Sequence, residues 1–407
     1  DYTEYTFEEV YVSNNVAYDG VYDYISDPQN SDTDGDILSD YLEYYFNPEY
    51  YKFVNMLANS SSVMAFDDET TTTSGLSNTI GSTISSTDPI LVTGQDVNAQ
   101  HVEWLNVGIA GRQFAYVPLD GDNQVVTIHS LETNFKVATV KAYIDGVLIQ
   151  TFTLSEGTSD TWTFAGNDSN IELISDQDIL VYVTSDGGST SGSPLVPASN
   201  TIYGSLSASA KLGVVGNTAV DVVYTCTDGS TGTISTGDLI TQSGNSYSDS
   251  CKYVADGTAL IGAVTYDGGS NASVFISSDL FSTTFPISFK ADWVKIISDT
   301  EQTCIATGRQ EYTLSGVSGL YHYHTDDYDT YHINDISVLT CPEPAMVVMG
   351  KYSSAEDINV LTLPRMTVVD YISDPNDTDT DDDNLTDYEE YYFADVNYNS
   401  SNNKNYF

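Results

Sequence analysis

Residues 23–46 and 370–393 carry the same acidic pattern, DYISDPQNSDTDGDILSDYLEYYF and DYISDPNDTDTDDDNLTDYEEYYF. The two align without a gap, and 17 of the 24 positions are identical. Each contains D-x-D-x-D-x-x-x-D-x-x-E: Asp32, Asp34, Asp36, Asp40 and Glu43, then Asp379, Asp381, Asp383, Asp387 and Glu390. Carboxylates this close repel one another unless a cation sits among them, and an all-oxygen set suits a hard cation such as Ca²⁺. Leu38 and Leu385 fall at the seventh position, where such a loop uses a backbone carbonyl rather than a side chain.

The pattern, preceded by S-D-P, resembles the thrombospondin type 3-like and EF-hand-like calcium repeats of secreted and bacterial surface proteins. The resemblance spans two 24-residue stretches of a 407-residue chain. It implies structural Ca²⁺ that stiffens the segments between domains, and it says nothing about the middle of the chain. The sixth position departs from the pattern. EF-type loops place Gly there because the backbone turns with φ > 0, whereas this chain has Ile37 in one copy and Asn384 in the other. Asn tolerates the left-handed region and a β-branched Ile does not, so the first loop is expected to turn at Gly35 instead.

A second constellation is YHYHTDDYDTYHIND, with His322, His324 and His332 and with Asp326, Asp327 and Asp329 between them. In a strand His322 and His324 share a face, and after a turn His332 can return beside them as a Zn²⁺ or Cu²⁺ site. The other reading is a polar hairpin tip that contacts a partner. Asp120-Gly121-Asp122-Asn123 reads as a hairpin turn, with a further calcium ligand group as the alternative. The tyrosine pairs at 44–45, 50–51 and 391–392 serve either to stack on sugars or to pack between units. None of G-x-S-x-G, H-E-x-x-H, G-x-x-x-x-G-K-[ST] or G-x-G-x-x-G occurs. No pair of carboxylates is singled out for glycoside hydrolysis, and the chain reads as a non-enzyme.

The net charge of −47, from 59 acidic and 12 basic residues, excludes nucleic acid and anionic membrane surfaces as partners. No apolar run is long enough for a transmembrane helix. The sequence starts at Asp1 without Met, which fits a processed form or a segment of a longer precursor. Asn59, Asn167, Asn271, Asn376, Asn384 and Asn399 head N-x-[ST] sequons that can accept glycans.

Four sections follow from composition. Residues 1–58 form an N-terminal calcium-loop module, with a helix expected from Ser39 to about Leu57 and interrupted at Pro48. Residues 59–89 are a Ser/Thr-rich connector, residues 90–364 a β-rich body, and residues 365–407 a C-terminal calcium-loop module and tail. The body consists of Val, Ile, Tyr and Thr runs separated by Asp-Gly and related turns. ILVYVTSDGG (179–188), LIGAVTYDGG (260–269) and MVVMGKYSSA (346–355) recur with turns upstream at Asp145-Gly146, Asp228-Gly229 and Thr307-Gly308. The expected fold is therefore mainly β: three repeats of roughly 80 residues, propeller-like or tandem sandwiches, flanked by the two calcium-loop/helix modules. The stretch SDQDILVYV, followed by SPLVPASNTIYG, resembles the β domains named for IgGFc-binding proteins, which occur in secreted adhesive proteins.

Cys226, Cys251, Cys304 and Cys341 allow three pairings. Cys226–Cys251 and Cys304–Cys341 each close a loop inside one repeat and are the expected disulfides, which places the chain outside the cell or on its surface. A calcium-stabilised subunit of an extracellular filament, sheath or surface layer, self-assembling as a homopolymer, is the expected function. A monomeric adhesin or carbohydrate-binding protein with glycan partners is the alternative.

Overall fold

The computed structural model describes residues 51–56, 61–66, 69–73, 79–86, 90–95, 104–118, 123–131, 137–166, 168–185, 192–204, 209–240, 250–266, 275–287, 293–306, 310–325, 337–351 and 358–362, together with Gly35, Thr378 and Thr386. The chain divides into two compact parts, residues 1–49 with 367–407, and residues 50–366. Among its described residues the larger part is mainly β-strand, with only short 3-10 turns besides.

Its strands fall into four successive groups, termed modules I to IV. Module I holds β1 (Tyr51–Asn55), β2 (Ser61–Phe66), β3 (Glu69–Thr73), β4 (Thr83–Ser86), β5 (Leu91–Gln95) and β6 (Trp104–Asn106). Module II holds β7 (Gly111–Tyr116), β8 (Asn123–Ser130), β9 (Ala138–Ile144), β10 (Val147–Leu154), β11 (Ser159–Ala165), β12 (Ile171–Ser185) and β13 (Gly192–Leu195). Module III holds β14 (Thr201–Gly204), β15 (Ser209–Val214), β16 (Asp221–Cys226), β17 (Thr231–Ser235), β18 (Leu239–Ile240), β19 (Cys251–Ala255) and β20 (Ile261–Tyr266). Module IV holds β21 (Ser282–Ile287), β22 (Trp293–Ser298), β23 (Thr303–Ala306), β24 (Gln310–Thr313), β25 (Ser315–Val317), β26 (Leu320–Thr325), β27 (Ser337–Lys351) and β28 (Ile358–Thr362).

One pairing scheme recurs. In module II the long strand β12 is shared by two sheets. Its first half pairs β9 on one side and β7 on the other; its second half pairs β8 and β13. Strand β10 adds outside β9, and β11 outside β8. Module IV repeats this with β27 as the shared strand, β23 and β21 on its first half, and β22 and β28 on its second. In module III the shared strand is split into β19, which pairs β16 and β14, and β20, which pairs β15. Module I departs from this order: β5 pairs β2 and β6 pairs β1, in two three-stranded sheets β3-β2-β5 and β4-β1-β6. The curled sheets include a half-barrel and an almost closed barrel.

In modules II, III and IV the crossing between sheets coincides with a local chemical feature. In β12 the register shifts between Ile174 and Ile179, where Asp176 accepts the Thr139 N–H at 2.7 Å and Asp178 takes the Arg112 guanidinium at 2.9 Å. In β27 the crossing passes through Pro342 and Pro344, which have no N–H to give to a ladder. In module III it is the Asp256-Gly257 turn, and Asn200 donates to the Ala255 and Gly257 carbonyls at 3.1 and 3.0 Å.

Between its two sheets each of modules II, III and IV buries alternate residues, such as Val126, Ile128, Val181 and Val183 in module II. The second half of β12 is buried on both faces, because Leu180 and Tyr182 are as inaccessible as Val181. Strands covered on both sides read as continuous apolar runs, which is why ILVYV stands out in the sequence. Tyr51, Phe53, Ile90, Val92 and Trp104 of module I are continuous with the core of module IV. Contacts also link module I to II, II to III and III to IV. Within this part each module thus touches the next, and module I also packs on module IV.

Two expectations are corrected. Residues 51–55 are strand β1 and not the end of a helix; Tyr51, Phe53 and Val54 are buried, and tertiary packing of aromatic and β-branched residues overrides any helical tendency after Pro48. The Ser/Thr-rich stretch contributes β2, β3 and β4, since Thr is a good strand former whose polarity hides the pattern. Asp120-Gly121-Asp122 lies outside the described residues; the flanking strands β7 and β8 both pair with β12.

Candidate functional site

The calcium motifs fall almost wholly outside the described residues, including all ten motif carboxylates and the seventh-position Leu38 and Leu385. Both copies belong to the part built from residues 1–49 and 367–407. Gly35 is described, and its φ of +84° is in the left-handed region. It is exposed, with open space where a Cβ would stand. The first loop thus has its left-handed residue at the fourth position, two before the usual glycine. The equivalent residue of the second copy is Asp382.

His322 and His324 lie on β26 with one residue between them, on one face, and both are half-buried. Their neighbours across the ladder on β22 are Ile297 and Lys295. Lys295 is only 1% exposed, a placement that nothing in its sequence neighbourhood signals. The Nδ1 of His322 is 3.3 Å from the Ser250 hydroxyl and 3.4 Å from that of Thr227. Both hydroxyls belong to module III beside Cys226 and Cys251, so His322 seats module IV on module III. His332 lies outside the described residues. Among the described residues no three His, Cys, Asp or Glu side chains gather as a metal group.

The two disulfides are Cys226–Cys251 and Cys304–Cys341, closing separations of 25 and 37 residues. Each ties the same pair of strands in its module: β16 to β19, and β23 to β27. Asp145-Gly146 and Asp228-Gly229 both turn the chain between the same two strands of their modules. Asp145 has φ +50° and Gly146 φ +76°, the double positive φ of a two-residue hairpin. Tyr51, one of the paired tyrosines, is buried in the core rather than presented to a ligand.

Between modules II and III the seat is polar as well as tight. Asn170 donates to the Val214 carbonyl and accepts the Val214 N–H, both at 2.8 Å. Glu172 accepts the Gly216 N–H at 2.9 Å, and Lys211 reaches Asp168 at 2.6 Å. Sequence reasoning missed all of these, because pairing across 43 or 44 residues leaves no local signature.

No family model matches the chain, and no curated protein matches it. Among solved structures, an anti-sigma factor domain-containing protein from Clostridium clariflavum aligns over 75% of this chain and 100% of its own length, at 10% identity and a TM-score of 0.15. A TM-score that low supports no argument about fold or function.

Proposed function

We propose that the chain is an extracellular structural protein, a calcium-stabilised subunit of a surface filament, sheath or surface layer. The duplicated D-x-D-x-D-x-x-x-D-x-x-E motif carries the reading. Ca²⁺ held by Asp32, Asp34, Asp36, Asp40 and Glu43, by their counterparts Asp379, Asp381, Asp383, Asp387 and Glu390, and by the carbonyls of Leu38 and Leu385 would neutralise part of a −47 charge. Without that neutralisation like-charged subunits repel one another. Two disulfides fit an oxidising, extracellular setting. Among the described residues no helix is long and apolar enough to cross a membrane. The modules are best read as tandem sandwich-like units, three near the expected repeats and one preceding them, because every sheet forms within a single module.

Light scattering on the purified chain tests the reading. Extracellular calcium modules bind at roughly 10⁻⁴–10⁻³ M, so millimolar calcium should give large particles that disperse in excess chelator. A monomer in both conditions would remove the polymer and leave a monomeric adhesin or carbohydrate-binding protein in its place.

A further inference from the structure

Strand β10 is an edge strand whose first five residues are all exposed. Val147, Leu148 and Ile149 are 61%, 49% and 52% exposed, among the largest apolar exposures in the described chain. Leu148 lies opposite Tyr143, and Lys141 lies opposite Thr151 on the same pair of strands, so Lys141, Tyr143 and Leu148 share one face. The only charged residues between 136 and 154 are Lys136, Lys141 and Asp145, a formal +1 in a chain of −47. Lys136 precedes β9 and Asp145 sits in the turn, so Lys141 is the one charged side chain on an otherwise apolar and polar hairpin face, in a strongly acidic chain.

On the equivalent strands of module IV an exposed apolar residue lies beside a carboxylate. Ile305 on β23 is 51% exposed, and its cross-strand neighbour on β24 is the exposed Glu311. Ile305 and Glu311 share a face, as Leu148 and Lys141 do. Both patches are open within one copy, so they do not cover each other.

We propose that a second copy of this chain is the occupant, with the β9–β10 hairpin of one molecule seated on the β23–β24 face of the next: Leu148 against Ile305, and Lys141 toward Glu311. Copies that meet acidic face to acidic face repel, and this pairing of patches brings complementary charge and apolar surface together. The contact is heterologous, so its repetition builds an open polymer. The bulge between Leu148 and Gln150 interrupts the ladder, so the contact is made by side chains and not by strand addition. A patch this small falls short of a standard interface of about 1,200–2,000 Å², so each junction is weak on its own and is best captured by cross-linking. The inference rests on the assembly reading but not on calcium.

All native cysteines are in disulfides, so Leu148→Cys and Ile305→Cys each add one reactive thiol. The two variants are mixed with a short bismaleimide, in calcium and in chelator. The expected result is a covalent dimer from the mixture, in both conditions and well above either variant alone. Adding Lys141→Glu to the first variant should lower the yield, and Glu311→Lys in the second should restore it. Yields from the mixture no greater than from either variant alone overturn the contact, as does a charge swap without effect. Calcium-dependent particles without cross-links count against this contact alone. Cross-links without calcium-dependent particles count against the calcium reading alone.

Discussion

Gly213 and Gly262 face each other across the β15·β20 ladder, and together they form a notch in module III that receives the backbone of β7 from module II. A Cβ on Gly262 would stand 2.3 Å from the Ala115 carbonyl oxygen, and one on Gly213 would stand 2.5 Å from the Tyr116 nitrogen. Backbone cannot yield as a side-chain tip can. Gly262→Ala is therefore expected to destabilise the chain by about 1–3 kcal/mol, the usual cost of overpacking. Urea unfolding reads the change. Gly229→Ala, where a Cβ meets nothing but φ is +86°, separates backbone strain from intermodule overlap, and should leave the module II–III contact intact by limited proteolysis.

Asn170 fastens the same junction with its side-chain amide, which satisfies both backbone groups of Val214. Asn170→Ala leaves a buried N–H and a buried C=O without partners. Each such group costs about 1–3 kcal/mol, so the expected loss exceeds that of a surface substitution and equals or exceeds that of Gly262→Ala. Hydrogen exchange at Val214 should accelerate more than at Val222, whose pairing lies inside module III.

Which of these features a sequence reveals depends on how local their cause is. Asp145-Gly146 dictates its own backbone, and ILVYV announces burial on both faces, so both were legible. The cysteine pairing was legible because each pair closes a loop within one repeat. Module I was not, since β3 is Glu followed by four Thr and the short apolar run Val63–Phe66 of β2 is set in a Ser/Thr-rich stretch. Neither was the notch, where a glycine pair acquires meaning only when a strand from another module arrives. Buried Lys295 was equally silent, as an alternating strand gives no sign that its second face will be covered. For the calcium loops, the turn at Gly35 was legible from the poor fit of Ile37 to a positive φ.

The disulfides constrain the unfolded chain more than they add contacts. For loops of 25 and 37 residues the chain-entropy contribution is roughly 3–4 kcal/mol each. Replacing Cys226 and Cys251 by Ser should lower stability by about that amount and should loosen module III first, with His322 losing its seat on Ser250. Chemical denaturation with and without reductant measures the sum. A loss confined to one pair would show which module limits unfolding.

Alkaline pH should weaken the fold through Tyr312. Burial pushes this phenol up to about 12, and the nearby Tyr323 phenol adds to the shift. Tyr253 is raised in the same direction, chiefly by burial and then by Tyr224. The unfolded phenol ionises near its ordinary value of about 10, so in this range the unfolded chain releases the proton first. The stability contributed by the neutral ring is complete below about pH 10 and is lost as pH rises through about 12. Tyr312→Phe should flatten that decline in urea midpoints, while tyrosinate absorbance shows the remaining rings titrating.

Gly35 offers a way to address one calcium loop without touching a ligand. Its φ of +84° is one that Gly adopts freely and a β-branched residue does not. Gly35→Val meets no steric neighbour, since a Cβ there has open space, so any effect comes from the turn itself. Calorimetry on the unaltered chain should resolve two sites in the range of roughly 10⁻⁴–10⁻³ M. The variant is expected to weaken one of them several-fold and leave the other unchanged, with thermal stability in chelator equal to that of the parent. Equal binding by parent and variant would mean that the first loop does not need its left-handed residue to hold the ion. Loss of both sites together would mean that the two motifs bind as one coupled unit within the part that contains them.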